Sequence, residues 1–269
     1  MAPLRQTVYR YALPFKKGIR EGFLLRLKEE KTEGWGEISP LPGFSQESLE
    51  EALEDLASKK RVLPSVQFGF HTALLDLQTP LNIPSIPIKT KIKVGDLSPE
   101  EALKTVQPIP HMRIDMNRKW SLEAALFFAR HFPGVEYYEE PLLEGEDTSA
   151  FPYPVALDES LREDKLPFYP HIVAHVIKPT MHGFPLPKVQ KGIDFILSSS
   201  YETELGIYQI AKLAYRLKIP LKPMGLATSH LFKETLFEET PYLKDGDLHF
   251  PKKWRLRKEK VEMILDECI

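Results

Sequence analysis

The sequence predicts an α/β barrel behind a small α+β unit, and three observations carry that prediction. First, short apolar strands recur along the chain from Ile86: IPIKTKIKVG, HMRIDMN, VEYYEEP, PVALDES, AHVIKPT, DFILSSS and IPLKPMG. Second, six of them end in a polar residue, Lys93, Asp115, Glu139, Asp158, Lys178 and Ser198, at intervals of 22, 24, 19, 20 and 20. Roughly twenty residues is the length of a compact βα unit, and repeats of that unit call for parallel strands. Third, no G-x-G-x-x-G follows the first of these strands, as a dinucleotide-binding open sheet would require. A closed barrel also explains why so many strands end in a chemically active side chain, since the C-terminal face is where barrels hold their sites.

The elements follow in order. Residues 1–85 alternate in strand fashion over TVYRYAL, EGFLLRLKEE and TEGWGEISPL, then turn helical from Gln46 to Leu56 and from Pro64 to Leu77, which makes a capping domain. Residues 86–237 hold the βα units of the barrel. Residues 238–269 lack a barrel-type strand and helix and are expected to pack back on the capping domain. The 24 prolines fall mostly at element boundaries, where a fixed φ does least harm.

Composition narrows the partners. With 36 basic and 38 acidic residues the chain lacks the basic surface that nucleic acid or an anionic membrane requires, so the expected partner is a small molecule and neither of those two. No apolar run reaches membrane-spanning length, and arginines interrupt the apolar start MAPLRQTVYRYALPF. Cys268 is the single cysteine, which excludes an intramolecular disulfide and a cysteine-rich zinc site. The expectation is a soluble, cytoplasmic protein. Its oligomeric state stays open.

Asp115, Glu139 and Asp158 end three successive strands, so in a barrel they converge on one side of the mouth. A carboxylate at such a place can also cap the following helix. Three in sequence order call instead for a cation, and hard oxygen donors without His or Cys favour Mg²⁺. Neighbouring strand residues point to opposite faces, so only one of Glu139 and Glu140 can be the ligand, and periodicity alone does not choose. In HMRIDMN the same-face partners of Asp115 are Arg113 and Asn117, while Met112, Ile114 and Met116 take the helix-covered side. Lys91 and Lys93 share a face on an early strand, and Lys178 ends a late one. A metal flanked by lysines describes a site that stabilises an enolate, with a lysine as base if neighbouring charge brings its pKa down from about 10.4 toward 7 to 8.

These residues resemble the enolase superfamily, and within it the o-succinylbenzoate synthase family, over nearly the whole chain. The resemblance is carried by GWGEISPLPGFSQES and PSVQFGFHTAL in the first domain and by KIKVG, RIDMNRKW, EEP, LDESL, VIKPT and SSSYETELG in the barrel. It implies an enolase-type, modified TIM barrel with an N-terminal α+β capping domain, here with the first βα unit shortened, since about thirteen residues separate Leu77 from Lys91. It also implies a lyase that uses a Lys base and Mg²⁺, with Mn²⁺ as a substitute.

Carried over by residue, the resemblance makes Lys93 the base and Lys178 the cation on the opposite face of the enediolate. Asp115, Glu139 and Asp158 become the Mg²⁺ ligands, which chooses Glu139 by analogy. Lys91 and Arg113 assist beside the base and the substrate carboxylate, and Asn117 supports them. Ser198, Ser199 and Ser200, with Gly43, Phe44 and Ser45 of the capping domain, line a succinyl pocket. The implied reaction is dehydration of 2-succinyl-6-hydroxy-2,4-cyclohexadiene-1-carboxylate to 2-succinylbenzoate in menaquinone biosynthesis. Racemisation of N-acylamino acids uses the same catalytic set, and a non-catalytic binding protein would have lost part of it; the loop PLPGFSQE favours the synthase over the racemase.

Overall fold

Alternating apolar residues in the first forty positions build two long strands and a shorter third, whose two faces bury different partners. The computed structural model describes residues 3–89, 91–163, 169–188, 191–218 and 220–269. Strands β1 (Arg5–Phe15), β2 (Gly18–Glu29) and β3 (Thr32–Ile38) form an antiparallel meander, followed by α1 (Leu49–Ala57) and α2 (Pro64–Gln78). There follow β4 (Ser85–Pro87), β5 (Ile92–Lys93), α3 (Pro99–Thr105), β6 (Arg113–Asp115), α4 (Leu122–Ala129), β7 (Tyr137–Glu139), β8 (Val155–Leu157), β9 (Ile172–Ile177), α5 (Pro179–His182), β10 (Asp194–Leu197) and α6 (Glu204–Arg216). Strands β11 (Tyr242–Lys244), β12 (Asp247–His249) and β13 (Val261–Cys268) complete the order. No helix among the described residues is long and apolar enough to cross a membrane.

The chain divides into two compact units, residues 1–89 with 178–187 and 197–269, and residues 90–177 with 188–196. Within the first unit β13 lies antiparallel to β1, from Arg5 opposite Cys268 to Tyr11 opposite Val261, so the end of the chain is built into the first sheet.

In the first unit one face of the meander buries Val8, Phe23, Leu25, Leu27 and Ile38 against Leu56, Val66 and Ala73 of the two helices. Local signals set those helices. Ser48 caps α1 and shares a capping box with Glu51, and Pro64 opens α2 at the position where its missing N–H costs nothing. The GWGE stretch of β3 lies against α2, where a Cβ on Gly36 would overlap the carbonyl of Gly69. The other face buries Tyr11, Leu13 and Leu24 with Leu205, Leu236 and Phe237.

A buried carboxylate ties that second face to α6. Glu37 of β3 accepts hydrogen bonds from Tyr11 Oη at 2.7 Å, Thr203 N at 3.0 Å, Thr203 Oγ1 at 2.5 Å and Gly206 N at 2.9 Å. It therefore supplies, from a distant strand, the cap that Thr203 itself does not provide. Next to it burial pushes the Glu204 carboxyl up to about 7, a shift that the Glu37 charge increases and that backbone donors and Arg257 oppose.

The second unit carries a six-stranded sheet in the order β10-β9-β8-β7-β6-β5. Its two faces are separated by strand alternation. Ile114, Met116, Tyr138, Val155, Leu157 and Ile172 pack with Ala125, Phe128 and Phe132 on the helix-covered side. Tyr137, Ala156, Ala174, Val176 and Ile196 form the opposite, inner cluster.

The residues around the shortened first βα unit make pairings of their own. Ile88 makes a parallel bridge to Met224, and the Lys89 amide donates to Met224 O at 3.0 Å. A few residues later Ile92 pairs with Ile114 and Lys93 with Asp115. Lys89, which the sequence leaves without a place, lies at the end of the first of these pairings.

Two outcomes test these contacts. Gly36→Ala is expected to lower the unfolding free energy by about 2 kcal/mol, the ordinary cost of overpacking, as read by urea denaturation. A carboxyl whose folded pKa is raised binds more protons folded than unfolded, so stability falls as pH rises from the ordinary value of 4.5 through about 7. Glu204→Gln removes that loss, and its stability relative to the unsubstituted protein should rise by about 3 kcal/mol between acid and mildly alkaline buffer, measured by denaturation at both.

Candidate active site

Parallel pairing sets the row of charged side chains. Lys93 is paired with Asp115 and Asp115 with Glu139, so three strand ends stand level. Glu139 is in turn paired with Ala156, which places Asp158 two residues further on and on the same face. Asp115, Glu139 and Asp158 are all buried. The register also separates the two adjacent glutamates, because Glu139 shares its face with Tyr137 and Asp115, and Glu140 does not.

Buried carboxylates this close need positive charge, and Lys91 supplies it. Its ammonium lies 2.8 Å from Asp115 Oδ2 and also pairs with Glu139. Burial works against that charge, but Glu139, Asp115 and Asp158 together outweigh it and hold the Lys91 pKa well above the ordinary lysine value. Lys91 is thus a counter-ion for the carboxylates. Lys93 is set differently. Half of its side chain is exposed, and its Nζ lies 3.3 Å from Asp115 Oδ2 and 3.2 Å from Asn117 Oδ1. Asn117 in turn donates its amide to Asp115 Oδ1 at 3.0 Å from a left-handed backbone with φ of 49°.

Among the described residues no three His, Cys, Asp or Glu side chains stand as a ready metal cage. The donor set nevertheless fits a hard divalent cation. Its members are carboxylates at consecutive strand ends, and two of them already share one positive charge.

Glu140 has a role that the sequence reading did not assign. With a left-handed φ of 45°, its carboxylate turns to the next strand's loop and accepts from Asp158 N at 2.6 Å, Ser160 N at 2.8 Å and Ser160 Oγ at 2.7 Å. It fastens the segment that carries Asp158. The signal was the second glutamate of EEP facing away from the first, together with the serine of DES.

Arg113, expected beside a substrate carboxylate, has partners within its own sheet. It is buried, pairs with Glu136 at 2.8 Å and lies 5.0 Å from the Tyr137 ring centre. It sits two residues below Asp115 on the inner face, so its charge is met within the sheet.

The remaining expected residues belong to the first unit. Lys178 directly follows β9 and caps the short α5, its carbonyl facing His182 Nδ1 at 3.0 Å. Ser198 bridges Gly225, Ser199 Oγ contacts Thr228 Oγ1 at 2.9 Å, and the Ser200 amide donates to Glu202 at 2.7 Å. Gly43, Phe44 and Ser45 form a tight turn in which Ser45 Oγ accepts from Leu41 N at 2.8 Å and Phe44 is exposed.

Comparison with known proteins adds an independent line. The family described as MenC, N-terminal domain, matches residues 4–77. The o-succinylbenzoate synthase of Klebsiella pneumoniae is 32% identical, with 87% of this chain and 94% of the relative covered. MenC from Desulfotalea psychrophila superimposes with a TM-score of 0.70 at 18% identity, over 93% of this chain and 100% of that one. The o-succinylbenzoate synthase of Thermosynechococcus elongatus, solved with magnesium in its active site, superimposes with a TM-score of 0.63 at 22% identity, over 87% of this chain and 95% of that one. The two solved structures establish the fold as the enolase-type α/β barrel with an N-terminal α+β capping domain that the sequence predicts.

The charge balance has a direct test. Lys91→Met leaves two buried carboxylates without their shared cation, so metal-free protein is expected to lose about 3 kcal/mol of stability. Millimolar Mg²⁺ should return much of that loss, which thermal unfolding with and without the ion would measure.

Proposed function

The chain belongs to the o-succinylbenzoate synthase family, and on that premise we propose that it eliminates water from 2-succinyl-6-hydroxy-2,4-cyclohexadiene-1-carboxylate to give 2-succinylbenzoate, a step of menaquinone biosynthesis. The observation that carries this reading is the level row of Lys93, Asp115 and Glu139, with Lys91 joining the two carboxylates.

Lys93, in its amine form, removes the proton from ring C1, next to the substrate carboxylate. The electron pair is held as an enediolate and then forms the C1–C6 double bond as the C6–O bond breaks. The proton carried by Lys93 passes to the departing hydroxide, so water leaves and the ring becomes aromatic. Base and acid are one group, which requires the proton and the hydroxyl to depart from the same face. The half-exposed side chain of Lys93, anchored at its tip by Asn117 and Asp115, suits a group that must reach outward to substrate.

Asp115, Glu139 and Asp158 would hold Mg²⁺, or Mn²⁺ in its place, and the bound ion would supply positive charge at the substrate carboxylate. Lys91 keeps the ligand carboxylates charged and ordered, and Glu140 orients the segment that carries Asp158. Lys178 serves as the second ammonium facing the enediolate, a role that rests on the family resemblance. Ser198, Ser199 and Ser200, with Gly43, Phe44 and Ser45, line the pocket for the succinyl chain. Arg113, paired with Glu136, assists beside the substrate carboxylate, a role that rests on the family resemblance. A cytoplasmic setting suits the single exposed thiol of Cys268.

Purified protein with Mg²⁺ should convert the cyclohexadiene substrate, followed by the absorbance of the aromatic product. Turnover of N-succinylamino acids alone would identify a racemase and overturn the reading. Lys93→Ala should lower turnover by roughly 10² to 10⁴, the range of a positioned acid or base; survival within about tenfold would exclude Lys93 as the base.

A further inference from the structure

We infer that Arg20 is a positioning residue for the succinyl-end pocket, a single buried guanidinium that locks the loop after β3 to the loop after β10. What the two loops bind rests on the function proposed above; the lock stands on its own geometry.

Arg20 lies on β2 opposite Leu13 and is almost wholly buried. Its Nη1 donates to Pro40 O at 2.7 Å and its Nη2 to Ser39 O at 2.5 Å, at the base of the turn that carries Gly43, Phe44 and Ser45. Its Nε donates to Tyr201 O at 3.0 Å, and Nη2 reaches Ser200 O at 3.5 Å, at the end of the serine run. A further bond runs from Nη1 to Glu21 O at 3.2 Å. Among the described residues no carboxylate pairs with this cation, so its charge is met by backbone carbonyls alone. That is an expensive way to bury an arginine unless the carbonyls need it.

The guanidinium suits this task by its chemistry. It is planar, permanently charged and offers five N–H donors in a fixed fork, so it holds carbonyls from separate loops at a fixed separation. Beyond their bases the two loops satisfy their own needs. The first closes on itself through Leu41 N and Ser45 Oγ, and the second is ordered by Glu202 and Thr228. Arg20 therefore sets the spacing of the loops and leaves their internal order to local bonds. A pocket shared by the two loops would owe its width to that spacing.

The test compares Arg20→Met and Arg20→Lys with the unsubstituted enzyme. Hydrogen exchange is read at residues 39–45 and 198–201, and kcat and KM are measured with the cyclohexadiene substrate. Arg20→Met should lose at least tenfold protection in both segments together and raise KM at least tenfold with kcat within about threefold. Arg20→Lys, a point charge with fewer donors, should fall between, and it decides the matter if the Met variant does not fold. Loosening of one loop alone or of neither, or a KM within twofold in a folded variant, would overturn the inference. Absence of dehydration by the unsubstituted enzyme would instead refute the proposed reaction, and the exchange data would still decide the lock.

Discussion

The register of three parallel strands is the constraint from which the candidate site follows. Because Lys93, Asp115 and Glu139 stand level, two carboxylates end at one depth on one face, where water is largely excluded. Two negative charges in that position are tolerable only with a cation beside them. Lys91 takes that place, and it can do so because the period of a strand puts it on the same face as Lys93 and one step deeper. The KIK motif therefore divides its two lysines between different tasks, one neutralising and one reaching outward.

The same alternation organises what surrounds the row. The outward residues of each strand join a large apolar layer with α4, and the inward residues form a small cluster beneath the charges. A one-residue slip in any strand would exchange these faces, so the hydrophobic layer enforces the chemistry's register. Where the chain leaves a strand, it uses left-handed residues to turn a side chain aside, as at Asn117 and Glu140. Strain of that kind is kept where surrounding bonds over-determine it, and at Glu140 three buried hydrogen bonds do so.

In the first unit buried charge performs a different service, that of joining distant segments. Glu37 caps a helix that begins far along the chain, and Arg20 gathers carbonyls from two loops. Both side chains belong to the meander, and both act on the region between Ser198 and Gly206. The capping domain thus contributes to the architecture through ionic side chains reaching backbone groups, in addition to the turn it presents.

Much of this was legible in the amino-acid sequence, because it depends on period and spacing. The strands, their polar ends, the intervals between them and the identity of the carboxylates and lysines are all local properties. The choice between Glu139 and Glu140 was not local. It needed the register with the neighbouring strand, a relation between residues far apart in the chain. The same holds for Arg113, which pairs with Glu136, and for Lys91, whose partners Asp115 and Glu139 lie one and two strands along. The pairing of Ile88 with Met224 likewise required the tertiary structure. Sequence alone determined which groups this protein has for its chemistry and which residues of a strand share a face; only tertiary structure decided which face that is and which charges neutralise one another, because electrostatic partnership depends on distance in space and a strand's own period carries no information about its neighbour's register.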